Sequence, residues 1–233
     1  MLILGIDTST QHTSVALGTE QGTVAALNLG GDRAAHELVV PALEQLLAWS
    51  GVALDRIGGV AVGIGPGLFT GLRVGVATAK GLAQARGLPI VGVASLDVLA
   101  FMHRHSRRLI CPVLDAKRGE VFYGFYRPVP AGVARQTGHQ AGTPEHLAAD
   151  IHATGEDVLV VGAGGLVYRR TLEDVGSVEF GSAERAHPSA AAMVDLTIPR
   201  FLREDFDRVF DVEPIYLRRS DAEIAWDRRT GAR

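Results

Sequence analysis

The predicted secondary structure of this 233-residue chain repeats its order of elements in two halves. In each half, short apolar or alternating runs predict strands, and longer amphipathic segments between Gly, Pro and capping residues predict helices. The predicted strands of the first half cover residues 2–6, 13–18, 23–29, 58–64 and 90–94, and its helices cover 33–50, 71–86 and 96–104. Those of the second half cover residues 109–114, 120–126, 132–137, 158–162 and 178–180, with helices at 143–151, 166–174 and 188–203. Each half therefore follows the order βββαβαβα.

This repeated order restricts the fold class to an α/β architecture that is built twice. A generic doubly wound sheet would not begin each half with three consecutive strands. The pattern is typical of the duplicated actin-like ATPase fold, which sugar kinases and Hsp70 also use. We therefore predict an N-terminal lobe over residues 1–106 and a C-terminal lobe over residues 107–233, the second ending in an Arg-rich tail.

Composition excludes several classes of protein. An apolar fraction of 47% and a charged fraction of 21% are typical of a folded globular protein. The net charge of −3 argues against a protein that coats nucleic acid along its length. Cys111 is the single cysteine, which excludes an internal disulfide and a cysteine-based metal cluster. No run reaches the roughly 18 apolar residues of a membrane span, and residues 1–7 do not resemble a signal peptide. These features lead to the expectation of a cytoplasmic protein that does not associate with a membrane.

A candidate nucleotide cleft is suggested by residues at equivalent places in the two halves. Asp7, followed by Thr8, comes after the first strand of one half, and Asp115 comes after the first strand of the other. Paired acids that face each other across a cleft commonly hold magnesium. Gly162 and Gly164 lie where a glycine turn accepts the adenine ring in actin-like ATPases. The alternatives are that each Asp only caps its turn and that the glycines only allow a tight turn.

The Gly-rich segment at residues 63–73 joins a predicted strand to a predicted helix. Glycines let backbone N–H groups approach an anion, but the segment has neither the Lys-Ser/Thr of a Walker loop nor the spacing of a dinucleotide-binding loop. Arg73 lies in the first helical turn, where a cation opposes the helix dipole. We therefore expect Arg73 to meet either an anion or an acidic side chain of its own chain.

Small residues recur every fourth position along the same helix. Gly71, Gly75, Ala79 and Ala83 form one side-chain-poor face, and such faces let two helices approach closely. We expect these four residues, with Arg73, to bind a partner. The alternative is that the face packs on the protein's own sheet.

No spacing of histidines, cysteines and acids resembles a metal site. His36 is followed one helical turn later by Val40, which cannot ligate a metal, and this argues against a metallopeptidase. Cys111 lies inside a predicted strand and is expected in the core.

Four stretches carry a resemblance to a known family. Ile6-Asp7-Thr8-Ser9, the segments 65–75 and 115–123, and Glu213-Pro214-Ile215-Tyr216-Leu217-Arg218 resemble, in this order, those of the TsaB (YeaZ) family. The chain departs from the family pattern at Leu68, where the family usually has Ser, and at Ala35, where it tends to have His.

The resemblance implies a non-catalytic subunit with an actin-like fold that supports formation of threonylcarbamoyladenosine in tRNA. It implies docking of the N-lobe helices onto a TsaD-like catalytic subunit, a TsaE-like ATPase as a further component, and an indirect relation to tRNA. It also implies no cofactor of the chain's own, with ATP and Mg²⁺ entering only within the complex, while a homodimer of the free chain stays open. The alternative function is a small actin-like ATPase or phosphotransferase. The tail, which includes Arg218 and Arg219, is expected to be solvated.

Overall fold

The computed structural model describes residues 1–30 and 35–218, with side chains from residue 37 onward in the second range. The first sheet contains strands β1 (Ile3–Asp7), β2 (Thr13–Thr19), β3 (Gly22–Leu29), β4 (Gly59–Gly65) and β5 (Ile90–Ala94). Their order is β3-β2-β1-β4-β5, with β1, β2 and β3 antiparallel and β4 and β5 parallel to β1. Helices α1 (Ala35–Ser50), α2 (Phe69–Arg86) and α3 (Ser95–Met102) belong to the same half of the chain. The helix predicted over residues 33–50 begins in a segment, residues 31–34, that lies outside the described residues.

The second sheet repeats this order. Its strands are β6 (Leu109–Lys117), β7 (Glu120–Tyr123), β10 (Gln140–Gly142), β11 (Val158–Val161) and β12 (Val178–Phe180), in the order β10-β7-β6-β11-β12. The helices of this half are α4 (Pro144–Thr154), α5 (Ala163–Val167), α6 (Arg169–Leu172) and α7 (Ala190–Leu202). The predicted duplicated actin-like α/β fold is confirmed.

One predicted strand has a different place. Residues 132–137 were expected to form the third strand of the second sheet, but β9 (Gly132–Arg135) pairs with β8 (Tyr126–Val129) as an added hairpin. In the second sheet, β10 takes the place expected for this third strand and pairs with β7. The residues of β9 do form a strand, whereas β10 has only three residues and too few side chains to show a period, so the sequence pattern pointed to β9 as the third strand.

Both faces of the first sheet are covered by helices. Alternation along β1 points Leu4 and Ile6 toward α1 and α2, where they join one apolar cluster, and points Ile3 toward α7. Because α1 and α2 share one face, their outer sides lie next to each other on the surface of the lobe.

The last helix of each half packs against the sheet of the other half. Leu96 and Leu99 of α3 join the apolar cluster of Ile110 on β6, whereas Met193 of α7 joins the cluster of Ile3 on β1. The boundary expected between residues 106 and 107 thus separates the two sheets, but α7 lies on the first of them. This exchange holds the two lobes in one relative orientation.

The chain after α7 forms a strap, residues 203–218, that returns across the first lobe. Asp207 accepts a hydrogen bond from the backbone N–H of Gly92 on β5 (2.7 Å), and the N–H of Ile215 donates to the carbonyl oxygen of Ile64 on β4 (2.7 Å). Arg218 then pairs with Glu120 of the second lobe (2.7 Å). The tail from residue 219 onward, including the predicted solvated Arg219, lies outside the described residues.

Candidate functional site

A cavity of about 130 Å³ lies between the two lobes, where the fold places a nucleotide cleft. The turn after β1 borders it from the first lobe, together with the Gly-rich segment before α2. The second lobe contributes the end of β6, helix α5 and His187. Small-molecule sites usually measure about 300–1,000 Å³, so this cavity is smaller than a nucleotide site.

Asp7 is buried beneath the cleft and does not line it. Asp7 is about 1% exposed, its Oδ1 accepts hydrogen bonds from the N–H (3.0 Å) and the hydroxyl (2.7 Å) of Ser9, and its Oδ2 has no hydrogen-bond partner among the described residues. Burial raises the pKa of Asp7 to about 6, although the hydrogen bonds from Ser9 oppose this shift. A carboxylate enclosed in this way is not accessible to a hydrated magnesium ion.

The turn after β1 is closed by the start of α2. The hydroxyl of Thr8 donates to the carbonyl oxygen of Gly71 (2.7 Å), and the N–H of Leu68 donates to the carbonyl oxygen of Ser9 (2.7 Å). A Cβ at Gly67 or Gly71 would collide with the backbone of this turn. The glycine segment therefore packs on the turn itself, and the Leu68 amide is already used within the chain.

Asp115 lies at the rim of the cleft but is held by its own neighbour. Its two carboxylate oxygens accept from the backbone N–H of Lys117 (2.8 Å) and from the Nζ of Lys117 (2.9 Å). The structure does not pair Asp115 with the buried Asp7 in an open site. The alternative interpretation, in which each Asp stabilises its own turn, describes both residues.

The second glycine turn has a packing role. Gly162 has a φ of 100°, and a Cβ there would collide with the carbonyl oxygen of Val113 on β6. At Gly164 a Cβ would lie 2.7 Å from the carbonyl carbon of Leu114. Both glycines let α5 lie directly on β6, as the alternative interpretation expected. The described residues around the cleft do not fit a nucleotide and its metal ion.

The small-residue face of α2 is buried within the protein, so the expectation that it binds a partner is wrong. Gly71, Gly75, Ala79 and Ala83 all face inward, and Ala79 and Ala83 belong to the apolar cluster of the first sheet. A Cβ at Gly75 would collide with the hydroxyl of Thr8. The glycines are needed because the turn after β1 lies against the helix backbone.

Arg73 points outward and is stacked rather than ion-paired. Its guanidinium carbon lies 3.8 Å from the centre of the Phe69 ring, and its Nε donates to the hydroxyl of Tyr216 (3.1 Å) on the strap. No acidic side chain among the described residues pairs with Arg73. The aromatic rings and the phenol oxygen supply the stabilisation that was expected from a negative charge.

The outer face of α1 and α2 is a feature that sequence reasoning missed. Ala77, Gly81 and Ala85 are exposed on α2, and a Cβ at Gly81 would meet no atom outside its own helix within 4 Å. On α1, Trp49 is 73% exposed and Val40 is 51% exposed. The available signal was Gly81, which lies outside the spacing of the buried glycines. We call the exposed residues of these two helices the α1–α2 outer face.

The described residues also bear on other site classes. Among them, no three His, Cys, Asp or Glu side chains are grouped so that they could hold a metal ion. Cys111 is fully buried in β6, and burial raises the pKa of its thiol. None of the helices in the described ranges has the length and apolar character needed to cross a membrane. The side chain of His36 lies outside the description.

Comparisons with known proteins agree over nearly the whole chain. Residues 31–226 match the family model TsaD, described as tRNA N6-adenosine threonylcarbamoyltransferase. The tRNA threonylcarbamoyladenosine biosynthesis protein TsaB of Escherichia coli is 30% identical over 234 residues, covering 99% of each chain. The protein of the same name from Bacillus subtilis is 32% identical over 235 residues, covering 97% of this chain and 98% of that protein.

A solved structure gives the same result. YeaZ from Pseudomonas aeruginosa superimposes with a TM-score of 0.79 at 26% identity, covering 93% of this chain and 99% of that one. The resemblance inferred from the four sequence stretches is confirmed. The chain belongs to the family described by the TsaD model and, within it, to the TsaB (YeaZ) proteins that it matches over its full length.

Proposed function

We propose that this chain is a non-catalytic subunit that binds and supports a TsaD-like catalytic subunit during formation of N6-threonylcarbamoyladenosine in tRNA. The observation that carries the proposal is the closed cleft. The carbonyl oxygen of Ser9 accepts the amide of Leu68, and the buried Asp7 is out of reach of a ligand. A phosphoryl-transfer enzyme needs open backbone donors and a metal-binding carboxylate at these places. The relatives named for threonylcarbamoyladenosine biosynthesis supply the reaction.

The α1–α2 outer face is the proposed docking surface for the catalytic subunit. A glycine inside an exposed helix costs about 0.5–1 kcal/mol relative to alanine, and in the part of the chain that the structure describes nothing lies within 4 Å of a Cβ built at Gly81. Small residues there allow a second helix to approach closely, and the exposed Trp49 on α1 supplies a large apolar side chain to bury. This surface replaces the buried face of α2 as the place of association.

In this proposal the chain holds no cofactor of its own. ATP and Mg²⁺ are bound by other members of the complex, with a TsaE-like ATPase as a further component. The relation of the chain to its cytoplasmic tRNA substrate then passes through the assembled complex. A free chain that uses the same α1–α2 outer face to form a homodimer would have to dissociate before it binds the catalytic subunit.

The experiment is a substitution of Gly81→Leu, compared with Ala149→Leu on the exposed side of α4 in the other lobe. Both changes place the same leucine side chain at an exposed helix position. We expect Gly81→Leu to prevent copurification with the TsaD-like subunit and to abolish tRNA modification by the reconstituted system. Ala149→Leu should retain both, and both variants should melt near the wild-type temperature. Normal assembly of Gly81→Leu would exclude this surface.

The alternative, an actin-like ATPase or phosphotransferase, is tested on the isolated chain. We expect no Mg²⁺-dependent ATP hydrolysis above that of the solvent control. Steady hydrolysis by the purified chain that disappears in Asp7→Ala would favour the enzyme and contradict a non-catalytic subunit.

A further inference from the structure

Two adjoining cavities form a groove on the side of the first sheet opposite the α1–α2 outer face. The first, about 360 Å³, is bordered by the tip of the β2–β3 hairpin and by the start of α7. The second, about 380 Å³, is bordered by the linker between the lobes, residues 103–108. Met102 and Arg185 line both cavities, so the two spaces meet at these residues. We call this surface the linker groove.

The linker that borders the groove has the sequence His-Arg-His-Ser-Arg-Arg. Burial, together with the nearby charge of Arg185, lowers the pKa of His103, so its ring is neutral near pH 7. The positive charge of the groove therefore comes from arginines, which stay charged at any physiological pH.

Two of the groove arginines are neutralised by neighbouring acids. Arg104 pairs with Asp195 (3.0 Å), while Arg108 pairs with Glu179 (2.9 Å) and Asp157 (3.4 Å). Each of these guanidinium groups has less charge to offer to a further anion.

Arg107 and Arg185 differ from this pair. Both are exposed, and neither forms an ion pair with a carboxylate in residues 1–30 or 37–218. Three acids line the two cavities: Asp195 and Glu179 are ion-paired, as described above, and Glu20 is the acid that a ligand would have to avoid. The linker groove thus presents two available guanidinium groups along its length, in a protein whose net charge is −3.

The chemistry of the groove fits a phosphodiester chain better than a single small ligand. Guanidinium groups bind phosphate oxygens through two parallel N–H donors. The residues that line the two cavities include no Phe, Tyr or Trp on which a base could stack. Contacts that reach only phosphates position a nucleic acid without reading its sequence. Two joined, open cavities suit successive phosphates of one strand.

We propose that the linker groove binds the phosphate backbone of the tRNA substrate through Arg107 and Arg185. This rests on the proposed function, and it makes the contact with tRNA direct where the family resemblance implied an indirect one. Because the groove and the α1–α2 outer face lie on opposite sides of the first sheet, the chain can hold RNA and the catalytic subunit at the same time.

The test measures binding of an unmodified tRNA transcript to the chain alone and to its complex with the TsaD-like subunit, at several salt concentrations. The double variant Arg107→Gln/Arg185→Gln is compared with wild type and with Arg203→Gln. Arg203 is an exposed arginine that follows the last residue of α7 and lines neither cavity, and it lies about 7.5 Å of helix beyond Ile198, the last groove residue on α7. Arg203→Gln therefore controls for the loss of one positive charge elsewhere.

We expect the double variant to bind tRNA about 10-fold or more weakly near 0.1 M salt, with the slope of log affinity against log salt reduced by about one for each arginine. Arg203→Gln should behave as wild type. Unchanged affinity and slope in the double variant, or an equal loss in Arg203→Gln, would overturn the linker groove as an RNA site. Binding of vesicles of anionic phospholipid with no binding of tRNA would overturn it as well.

The same experiment distinguishes failure of the proposed subunit role from failure of the linker groove as an RNA site. If the wild-type chain does not assemble with the catalytic subunit, the subunit role is contradicted, and the chain-alone measurement still decides the linker groove. If the complex assembles and modifies tRNA while the double variant retains full RNA affinity, only the groove proposal fails.

Discussion

The hydroxyl of Thr8 donates a 2.7 Å hydrogen bond to the carbonyl oxygen of Gly71, which joins the turn after β1 to the first turn of α2. In a cleft that bound a nucleotide, both of these elements would face the ligand. Here they face each other, and Thr8 is about 1% exposed. The same contact explains why α2 carries glycine at positions 71 and 75, and why that face is not available to another protein.

Substitution of Gly75 and substitution of Gly81, both on α2, should have opposite effects on stability. Gly75→Ala places a methyl group against the Thr8 hydroxyl, and overpacking of this kind costs about 1–3 kcal/mol. Gly81→Ala adds a methyl group in open space and should stabilise the chain by about 0.5–1 kcal/mol, because alanine is the better helix former. Urea unfolding of both variants measures this, and equal effects at the two sites would contradict the described packing.

The stability contributed by Asp7 should fall as pH rises. Its folded-state pKa of about 6 lies above the usual 3.8, so between these values the folded state binds more protons than the unfolded state. By linkage, the free energy of unfolding then decreases as pH rises from about 4 to 6, by up to about 3 kcal/mol in total. Asp7→Asn should remove this decrease, which unfolding measurements at pH 4, 5, 6 and 7 would detect. A difference between variant and wild type that does not vary with pH would contradict the shift.

His187 should make the free energy of unfolding change with pH in the opposite direction, over an overlapping pH range. Burial, with a smaller contribution from the neighbouring His12 ring 3.6 Å away, lowers the pKa of His187 from 6.5 to about 4. The unfolded state binds more protons between these values, so stability is lost as pH falls from about 6.5 to 4. We expect His187→Gln to remove the loss of stability that His187 causes at low pH. Because the two effects oppose each other, the wild type and the double variant with Asp7→Asn should both vary less with pH between 4 and 6 than either single variant does, and a strong pH dependence in the double variant would mean that another group dominates.

The strap should depend on Asp207 more than on Asp205. Both acids bond Arg200, but only Asp207 also accepts the N–H of Gly92 on β5. Asp207→Asn should cost about 1–2 kcal/mol, since a hydrogen bond to a charged group is weakened and an ion pair is lost. Asp205→Asn should cost clearly less, because the pair that Asp205 forms with Arg200 is exposed and screened by water. Comparison of the two melting temperatures decides this, and an equal fall would show that the contact with β5 contributes nothing.

The sequence by itself determined the order of elements and therefore the fold class. Runs such as β4 and β11 are long enough and apolar enough to be recognised locally, and turn residues separate them. The sequence also identified the family, because each of the four stretches that resemble TsaB (YeaZ) proteins is a continuous run of residues. It misplaced the third strand of the second sheet, since the three residues of β10 have too few side chains to show a period.

The tertiary structure alone decided which face of α2 is buried, where the last helices pack and which arginines are available. Gly71 and Gly81 look alike in sequence, and they differ because Thr8, far along the chain, lies against Gly71, whereas no described residue lies against Gly81. Likewise, Arg107 and Arg108 are neighbours, yet only Arg108 meets Glu179 in the folded chain. Contacts between distant segments set burial and charge pairing, and local sequence pattern carries no information about them.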